Sequence, residues 1–357
     1  MYLDKNNDIN QSDIIKILSI ESERELYALI KDWLPKKWEL VGNKVYLRGL
    51  IELGNECIKN CYYCGIRKSS NVNRYILNLE EVMICAKYAY ANNFGSIVIQ
   101  SGERQDEEFV TFIESILNEV NKLTDGGLRI TLSLGEQSPQ TYKRWFNAGA
   151  KRYLLRIETS NPQLYDKIHP SSCSYDERLK ALYSLKEIGF QTGTGVMIGL
   201  PEQTIEDLAN DIIFFKNFDI DMIGMGPYIP HKDTPLGKKF AYNMDNNFII
   251  KQKMLTLKMI FAARHFLKNV NIASTTALQS LYNDGLIDGI TAGANVIMPN
   301  ITSSKFKKSY YLYEGKANNS IDNLALIENK LKNIGERIML GDFGDSHHFK
   351  LRKKMAK

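Results

Sequence analysis

The stretch Glu56-Cys57-Ile58-Lys59-Asn60-Cys61-Tyr62-Tyr63-Cys64 holds three of the chain's five cysteines, spaced C-x3-C-x2-C. A thiolate is a soft ligand that suits iron–sulfur clusters, zinc or copper. A [4Fe–4S] cluster normally takes four thiolates, one per iron, so three from one loop leave one iron open. An open metal position suits a catalytic site, whereas a structural site is closed. Gly54 and Gly65 flank the loop and let the backbone turn at both ends. A disulfide framework fits poorly, because the cysteine count is odd and no secretory pattern is seen. Zinc would need a fourth ligand, yet there is no second C-x2-C element and the nearest histidine in sequence is His169. The spacing therefore points to a three-thiolate iron–sulfur site.

These cysteines follow an apolar run, Val45 to Leu53. Comparable short, β-branched runs occur near 46–53, 96–101, 129–134, 152–158, 193–199, 222–229, 271–275 and 294–298. Between most of them lie amphipathic stretches of helix length, such as Leu79 to Asn92, Phe109 to Leu123, Tyr175 to Ile188 and Ile205 to Phe218. Strand–helix alternation argues for a parallel sheet. About eight such units close an α/β barrel of the TIM type, (β/α)8, for which ~250 residues is typical. An open, partial barrel is the alternative. With 357 residues, 44% hydrophobic and 24% charged, the chain has material for one large core. No repeat or low-complexity linker divides it, so one domain is expected: a helical lead-in over 1–44, the barrel over 45–316, and a C-terminal helical extension with a basic tail over 317–357.

In the lead-in, Ser12 and Ser22 are expected to cap two helices, and Pro35 to end the second. The net charge of +5 is mild. Its local excess at Lys350, Arg352, Lys353, Lys354 and Lys357 reads as a solvated, frayed end rather than a nucleic-acid contact. The polar start lacks a secretory or transit pattern, and no apolar run approaches the ~18 residues that span a bilayer. A cytoplasmic location is expected, with no membrane and no nucleic acid as partner. Thiols stay reduced there.

In a barrel of this kind, chemistry sits where strands end and βα loops begin. Polar or Gly/Pro-rich segments follow each expected strand: the cysteine loop, Gln100 to Glu103, Ser133 to Glu136, Arg156 to Thr159, Gly199 to Pro201, Pro227 to His231, Ser274 to Thr276 and Pro299 to Thr302. Arg156 and Glu158 lie two apart on an expected strand and should face one side, as a structural ion pair or as ligand contacts. Arg178, at the start of a helix, could hold a carboxylate bidentately or be solvated. His231 reads as a surface loop residue. Cys85 falls on an apolar helical stripe, and Cys173 in a Ser-rich loop receives no role. Tyr310, Tyr311 and Tyr313 read as packing or as a substrate lid.

The cysteine spacing after a strand, with an aromatic residue (Tyr63) before the last cysteine, resembles the radical S-adenosylmethionine (SAM) superfamily. The resemblance implies that the open iron chelates the amino and carboxylate groups of SAM. A reduced cluster then drives cleavage to a 5′-deoxyadenosyl radical. Ser101-Gly102-Glu103 resembles the superfamily's Gly-Gly-Glu element, with Ser101 in place of the first glycine. Longer phrases, among them Thr131 to Glu136, Arg152 to Thr159, Gly199 to Thr204, Gly226 to His231, Ala273 to Ala277 and Gly293 to Asn300, resemble the HydE family of [FeFe]-hydrogenase maturases.

That family resemblance implies a full (β/α)8 barrel, shared with biotin synthase and methylornithine synthase, and a role in assembling the diiron site of the hydrogenase. It implies a small-molecule or organometallic substrate, the other hydrogenase maturases as partners, and a low-potential electron donor such as ferredoxin or flavodoxin. By the same resemblance, Cys57, Cys61 and Cys64 bind one [4Fe–4S] cluster. Tyr63, Ser101, Gly102, Glu103, Ser133, Glu158 and Arg178 contact SAM, and Met222 its adenosine. Thr131, Arg156, Thr275, Thr276 and Tyr310 line the substrate cavity. Two departures stand out. Gly315 to Leu324 carries none of the cysteines that hold a second cluster in some relatives, so none is expected. Ile157 stands where relatives can have histidine. The alternatives are a methylornithine-synthase-like amino-acid mutase and a non-catalytic iron–sulfur carrier or scaffold.

Overall fold

Eight parallel staves close into a ring in the computed structural model, which describes residues 10–240, 244–303, 305, 309, 310, 312, 313, 315 and 324–355. Strands β1 (Lys44–Gly54), β2 (Ser96–Ser101), β3 (Arg129–Ser133), β4 (Arg152–Leu154) and β5 (Gln191–Thr194) pair in sequence order. Past β5, the short strands β6 (Met197–Ile198), β7 (Met222–Ile223), β8 (Gly226–Pro227), β9 (Asn271–Ile272) and β10 (Val296–Ile297) complete the ring. β10 pairs with β1, and a bridge between Ala273 and Val296 links β9 to β10. The fifth stave is split into β5 and β6, the sixth into β7 and β8, and the halves pair separately. The splits meet at Gly195 and Gly224, where a Cβ on Gly195 would lie 1.9 Å from the Gly224 carbonyl oxygen. The expected closed barrel is thus the observed one.

Helices wrap the ring because their apolar residues recur at helical spacing and their first turns are capped. Helix α4 (Glu107–Thr124), for example, starts at Asp106, whose side chain accepts from the Phe109 N–H. It buries Phe109, Val110, Ile113, Ile116, Leu117 and Val120 against the sheet. Each such side chain contributes about 1.5–3 kcal/mol relative to exposure.

The lead-in forms two helices, Gln11–Leu18 and Glu23–Val41. Ser22 caps the second, as expected. Asn10, not Ser12, caps the first: its Oδ1 accepts from the Ser12 N–H at 3.0 Å. Pro35 does not end the second helix, which continues to Val41. Pro35 lies on the exposed face, where water can solvate the carbonyl that its missing N–H leaves free, while Ile30, Lys37 and Val41 are buried on the other face.

The C-terminal extension is not purely helical. Strand β11 (Arg337–Met339) adds to β1 in parallel, in the register Lys44↔Arg337 to Tyr46↔Met339. The following residues run under the N-terminal end of the barrel. The Gly344 carbonyl accepts from Asn271 Nδ2 at 2.8 Å and Arg48 Nη2 at 3.3 Å. Asp345 accepts from Arg152 and from Gln191 Nε2. Nor is the basic tail free. In the helix His347–Met355, Arg352 pairs with Asp221 at 2.7 Å and Asp219 at 2.9 Å, and His348 also meets Asp219. Two carboxylates at the barrel's foot dock the tail, which the run of lysines around Arg352 disguised. No helix among the described residues is long and apolar enough to cross a membrane.

Candidate active site

The cysteine loop begins where β1 ends and is zipped to the loop after β2. The Gly102 N–H donates to the Gly54 carbonyl at 3.0 Å, the Ile58 N–H to the Glu103 carbonyl at 2.8 Å, and the Glu103 N–H to Cys57 Sγ at 3.4 Å. Gly102 is required for this approach: a Cβ there would fall 2.2 Å from the Glu56 carbonyl oxygen and 2.8 Å from Cys57 Cβ. On the far side, Arg74 ties the loop's ends together. Its guanidinium donates to the carbonyls of Asn55, Ile66, Arg67, Lys68 and Ser70. Asn60 Oδ1, inside the loop, accepts from Arg67 Nε, the Ser69 N–H and Ser69 Oγ.

One cavity of about 250 Å³ opens above the barrel, lined by residues at the ends of the first six staves and by Ala277 and Tyr310 from the segments after the last two. Cys57, Cys61, Cys64, Tyr63, Ser101, Gly102, Glu103, Ser133, Arg156, Glu158, Arg178 and Tyr310 all border it. The residues that sequence analysis assigned to the cluster and to SAM are therefore brought together, apart from Met222. Met222 and Thr131 line a separate pocket of about 20 Å³ deeper in the barrel, with Arg48 and Asn271. Met222 stands at the foot of the sixth stave, before the split at Gly224, and its Sδ accepts from Arg48 at 3.2 Å. Thr275 Oγ1 is buried without a hydrogen-bond partner and packs by Gly226. Thr275 and Thr276 lie behind Ala277, which borders the cavity in their stead. Tyr311 falls outside the described residues, while Tyr313 also lines the cavity.

Arg156 and Glu158 do not share a regular strand, since β4 stops at Leu154 and Glu158 has φ +68°. A non-glycine residue in that region costs roughly 1–2 kcal/mol and commonly marks a functional position. Their side chains nevertheless meet, Nη2 to Oε2, at 2.9 Å. Among the described residues, Arg156 Nε and Glu158 Oε2 are buried with no aligned hydrogen bond. Tyr63 Oη reaches Glu158 Oε1 at 3.5 Å and His169 Nε2 at 3.3 Å.

Around the cysteines, charge is paired in a network. Glu136 accepts from Arg178 Nε and from Lys59 Nζ at 2.7 Å, and Lys59 also lies 3.4 Å from Glu103. Glu103 Oε2 in turn accepts the Glu136 N–H at 2.9 Å. Burial and the nearby Glu136 push the Glu103 carboxyl up to about 7. Burial would raise Glu136 too, but Arg178 and Lys59 outweigh it and hold it below the usual range. Burial pushes the Cys57 thiol up and the Cys64 thiol up to about 12. Metal capture by such thiols must release protons.

Several of these residues escaped sequence analysis. Glu136 has its partners, Arg178 and Lys59, 42 and 77 residues away, and Arg74 acts on backbone carbonyls, so no side-chain pattern marks either. Cys173 is not isolated. Its thiol acts on that of Cys61 and raises it, and the backbone joins the two loops where the Tyr62 N–H meets the Ile168 carbonyl at 2.9 Å. His231 is buried, not at the surface, and its Nδ1 accepts the Asp233 N–H at 3.2 Å. Cys85 is core, as its stripe implied.

The donor set fits a [4Fe–4S] cluster and SAM. Three free thiols border one cavity. Among the described residues, no three His, Cys, Asp or Glu side chains converge closely enough to hold a single metal ion. The Arg156–Glu158 ion pair supplies charged groups on the opposite wall.

Comparison with known proteins agrees with this geometry. The radical SAM superfamily profile matches residues 51–215. The chain is 43% identical over 303 residues to the [FeFe] hydrogenase maturase subunit HydE of Thermotoga maritima, covering 84% of this chain and 82% of that one. It is 26% identical to 3-methylornithine synthase of Methanosarcina acetivorans, over 81% of this chain and 79% of that one. In fold, it is similar to methylornithine synthase (TM-score 0.80, 22% identity, 94% of this chain and 95% of that one). It is also similar to the maturase HydG of Carboxydothermus hydrogenoformans (TM-score 0.73, 20% identity, 93% and 76%). The chain belongs to the radical SAM superfamily and, within it, to the HydE family of [FeFe]-hydrogenase maturases.

Proposed function

We propose that this chain is a radical SAM enzyme that acts in assembly of the diiron site of [FeFe]-hydrogenase. Cys57, Cys61 and Cys64 would hold one [4Fe–4S] cluster, with SAM beside it. Bound there and reduced, such a cluster supplies the electron for reductive cleavage of SAM to a 5′-deoxyadenosyl radical. The protein's part is positioning and exclusion of water. Glu103 and the Ser101–Gly102 turn offer a carboxylate and backbone carbonyls to the SAM ammonium. Arg178 offers a guanidinium to its carboxylate. The observation that carries this reading is that the three thiols, Glu103, Glu158 and Arg178 border one cavity above the barrel.

A small-molecule substrate fits the same cavity. Arg156 has a buried Nε without a hydrogen-bond partner among the described residues, which favours an anionic or carboxylate-bearing molecule, including an organometallic one. A low-potential donor such as ferredoxin or flavodoxin, and the other maturases, would be its partners. Gly315 to Leu324 contains no cysteine, which supports a single cluster.

Anaerobically reconstituted protein tests the reading. With dithionite and SAM it should release 5′-deoxyadenosine, and SAM should change the electron paramagnetic resonance spectrum of the reduced cluster. A cluster that forms but neither binds nor cleaves SAM would favour an iron–sulfur carrier instead.

A further inference from the structure

We infer that Glu136 is a positioning residue that sets Arg178 for SAM and couples it to the cysteine loop, an inference that rests on the SAM site proposed above. Glu136 follows Gly135, whose φ of +76° brings the backbone over Glu103; a Cβ at Gly135 would lie 2.4 Å from Glu103 Oε2. The turn buries the Glu136 carboxylate between two cations from different elements. Oε1 accepts from Arg178 Nε in helix α7 (Tyr175–Ile188). Oε2 accepts from Lys59 Nζ, between Cys57 and Cys61, at 2.7 Å. Gln105 Nε2 braces the arrangement from the β2 side, donating to the Glu136 carbonyl at 2.9 Å and to Glu103 Oε1 at 3.0 Å.

The geometry explains why a carboxylate is needed there. Arg178 Nη1 donates to the Arg156 carbonyl, so Nε and Nη1 are both held and the guanidinium plane is fixed. Nη2 makes no hydrogen bond to a described residue, and the side chain borders the cavity. A preset fork binds a carboxylate with less loss of rotamer freedom than a mobile one. Without Glu136, Arg178 would keep only a carbonyl partner, and Lys59 would keep only Glu103 at 3.4 Å. Glu136 itself does not line the cavity.

Anaerobically reconstituted full-length protein decides the matter. Glu136→Ala should weaken SAM binding by about tenfold or more, the usual effect of losing a charge-assisted hydrogen bond. Its iron and sulfide content should equal that of the wild type. Glu136→Gln, whose amide oxygen can still accept from Arg178 Nε, should recover part of the affinity. Unchanged affinity in Glu136→Ala, loss of the cluster in that variant, or no recovery in Glu136→Gln each overturns the assignment. If the wild type itself holds a cluster but binds no SAM, the functional reading fails separately. The Glu136–Arg178 coupling is then read from a double-variant cycle of Glu136→Ala and Arg178→Met on thermal unfolding, where non-additive losses support it and additive losses overturn it.

Discussion

Arg74 Nη1 donates to the main-chain carbonyl of Asn55 at 2.5 Å, across the base of the cysteine loop. The same guanidinium holds four further carbonyls on the loop's returning limb. A lysine, with its compact ammonium, cannot span that set. Arg74→Lys should therefore lower iron bound per chain after reconstitution and destabilise the fold by about 1–3 kcal/mol. Iron and sulfide assays, with thermal unfolding of the metal-free chain, measure both effects.

The Cys61 and Cys173 thiols act on each other, yet only Cys61 lies in the C-x3-C-x2-C loop. Cys61→Ala should abolish the visible absorbance of thiolate-bound iron. Cys173→Ala should retain it. The opposite pattern would move the ligand assignment from Cys61 to Cys173.

Acid should loosen the barrel's foot. Burial alone would raise Asp345, but the fully buried Arg152 guanidinium at 2.9 Å, with Arg129, holds it below the ordinary carboxylate range. A depressed folded value means stabilisation that is complete above the unfolded aspartate value of about 3.9 and is lost as pH falls through the folded one. Asp345→Ala should cost about 3 kcal/mol or more at neutral pH, because it strands Arg152. The gap in melting temperature between wild type and variant, measured on metal-free protein, should close as the pH drops below about 4.

The lead-in is clamped to the extension by a buried ion pair, Lys37 Nζ to Glu336 Oε1 at 2.6 Å, both side chains essentially inaccessible. Trp38 Nε1 donates to the same oxygen at 2.9 Å, and Lys37 also reaches the Ile290 carbonyl. Lys37→Met should destabilise by about 3–5 kcal/mol by leaving Glu336 buried and unpaired. The double variant Lys37→Met, Glu336→Leu should recover much of that loss. Chemical denaturation of the three proteins tests it.

Sequence periodicity revealed the ring of strands because buried parallel strands are short apolar runs and their helices alternate with them. The cysteine loop was legible because its three ligands are local. What was hidden depends on partners distant in sequence: Glu136 and Arg178 stand 42 residues apart, Arg152 and Asp345 193. Pro35 misled because only the fold reveals that it faces water. The place of Met222, in a deeper pocket below the split in its stave at Gly195 and Gly224, was not legible because no sequence pattern marks that split. The extension looked helical because β11 is only three residues long and owes its strand pairing to β1.

Gly344 and Asp345 cork the lower end of the barrel, with Gly344 pressed against the Tyr46 ring, where a Cβ would lie 2.8 Å from Cγ. A vessel sealed at its base empties only the way it fills. Spent fragments must depart past the same thiol-bearing lip that fresh reactants cross, so each cycle obliges outgoing and incoming molecules to take turns at one doorway.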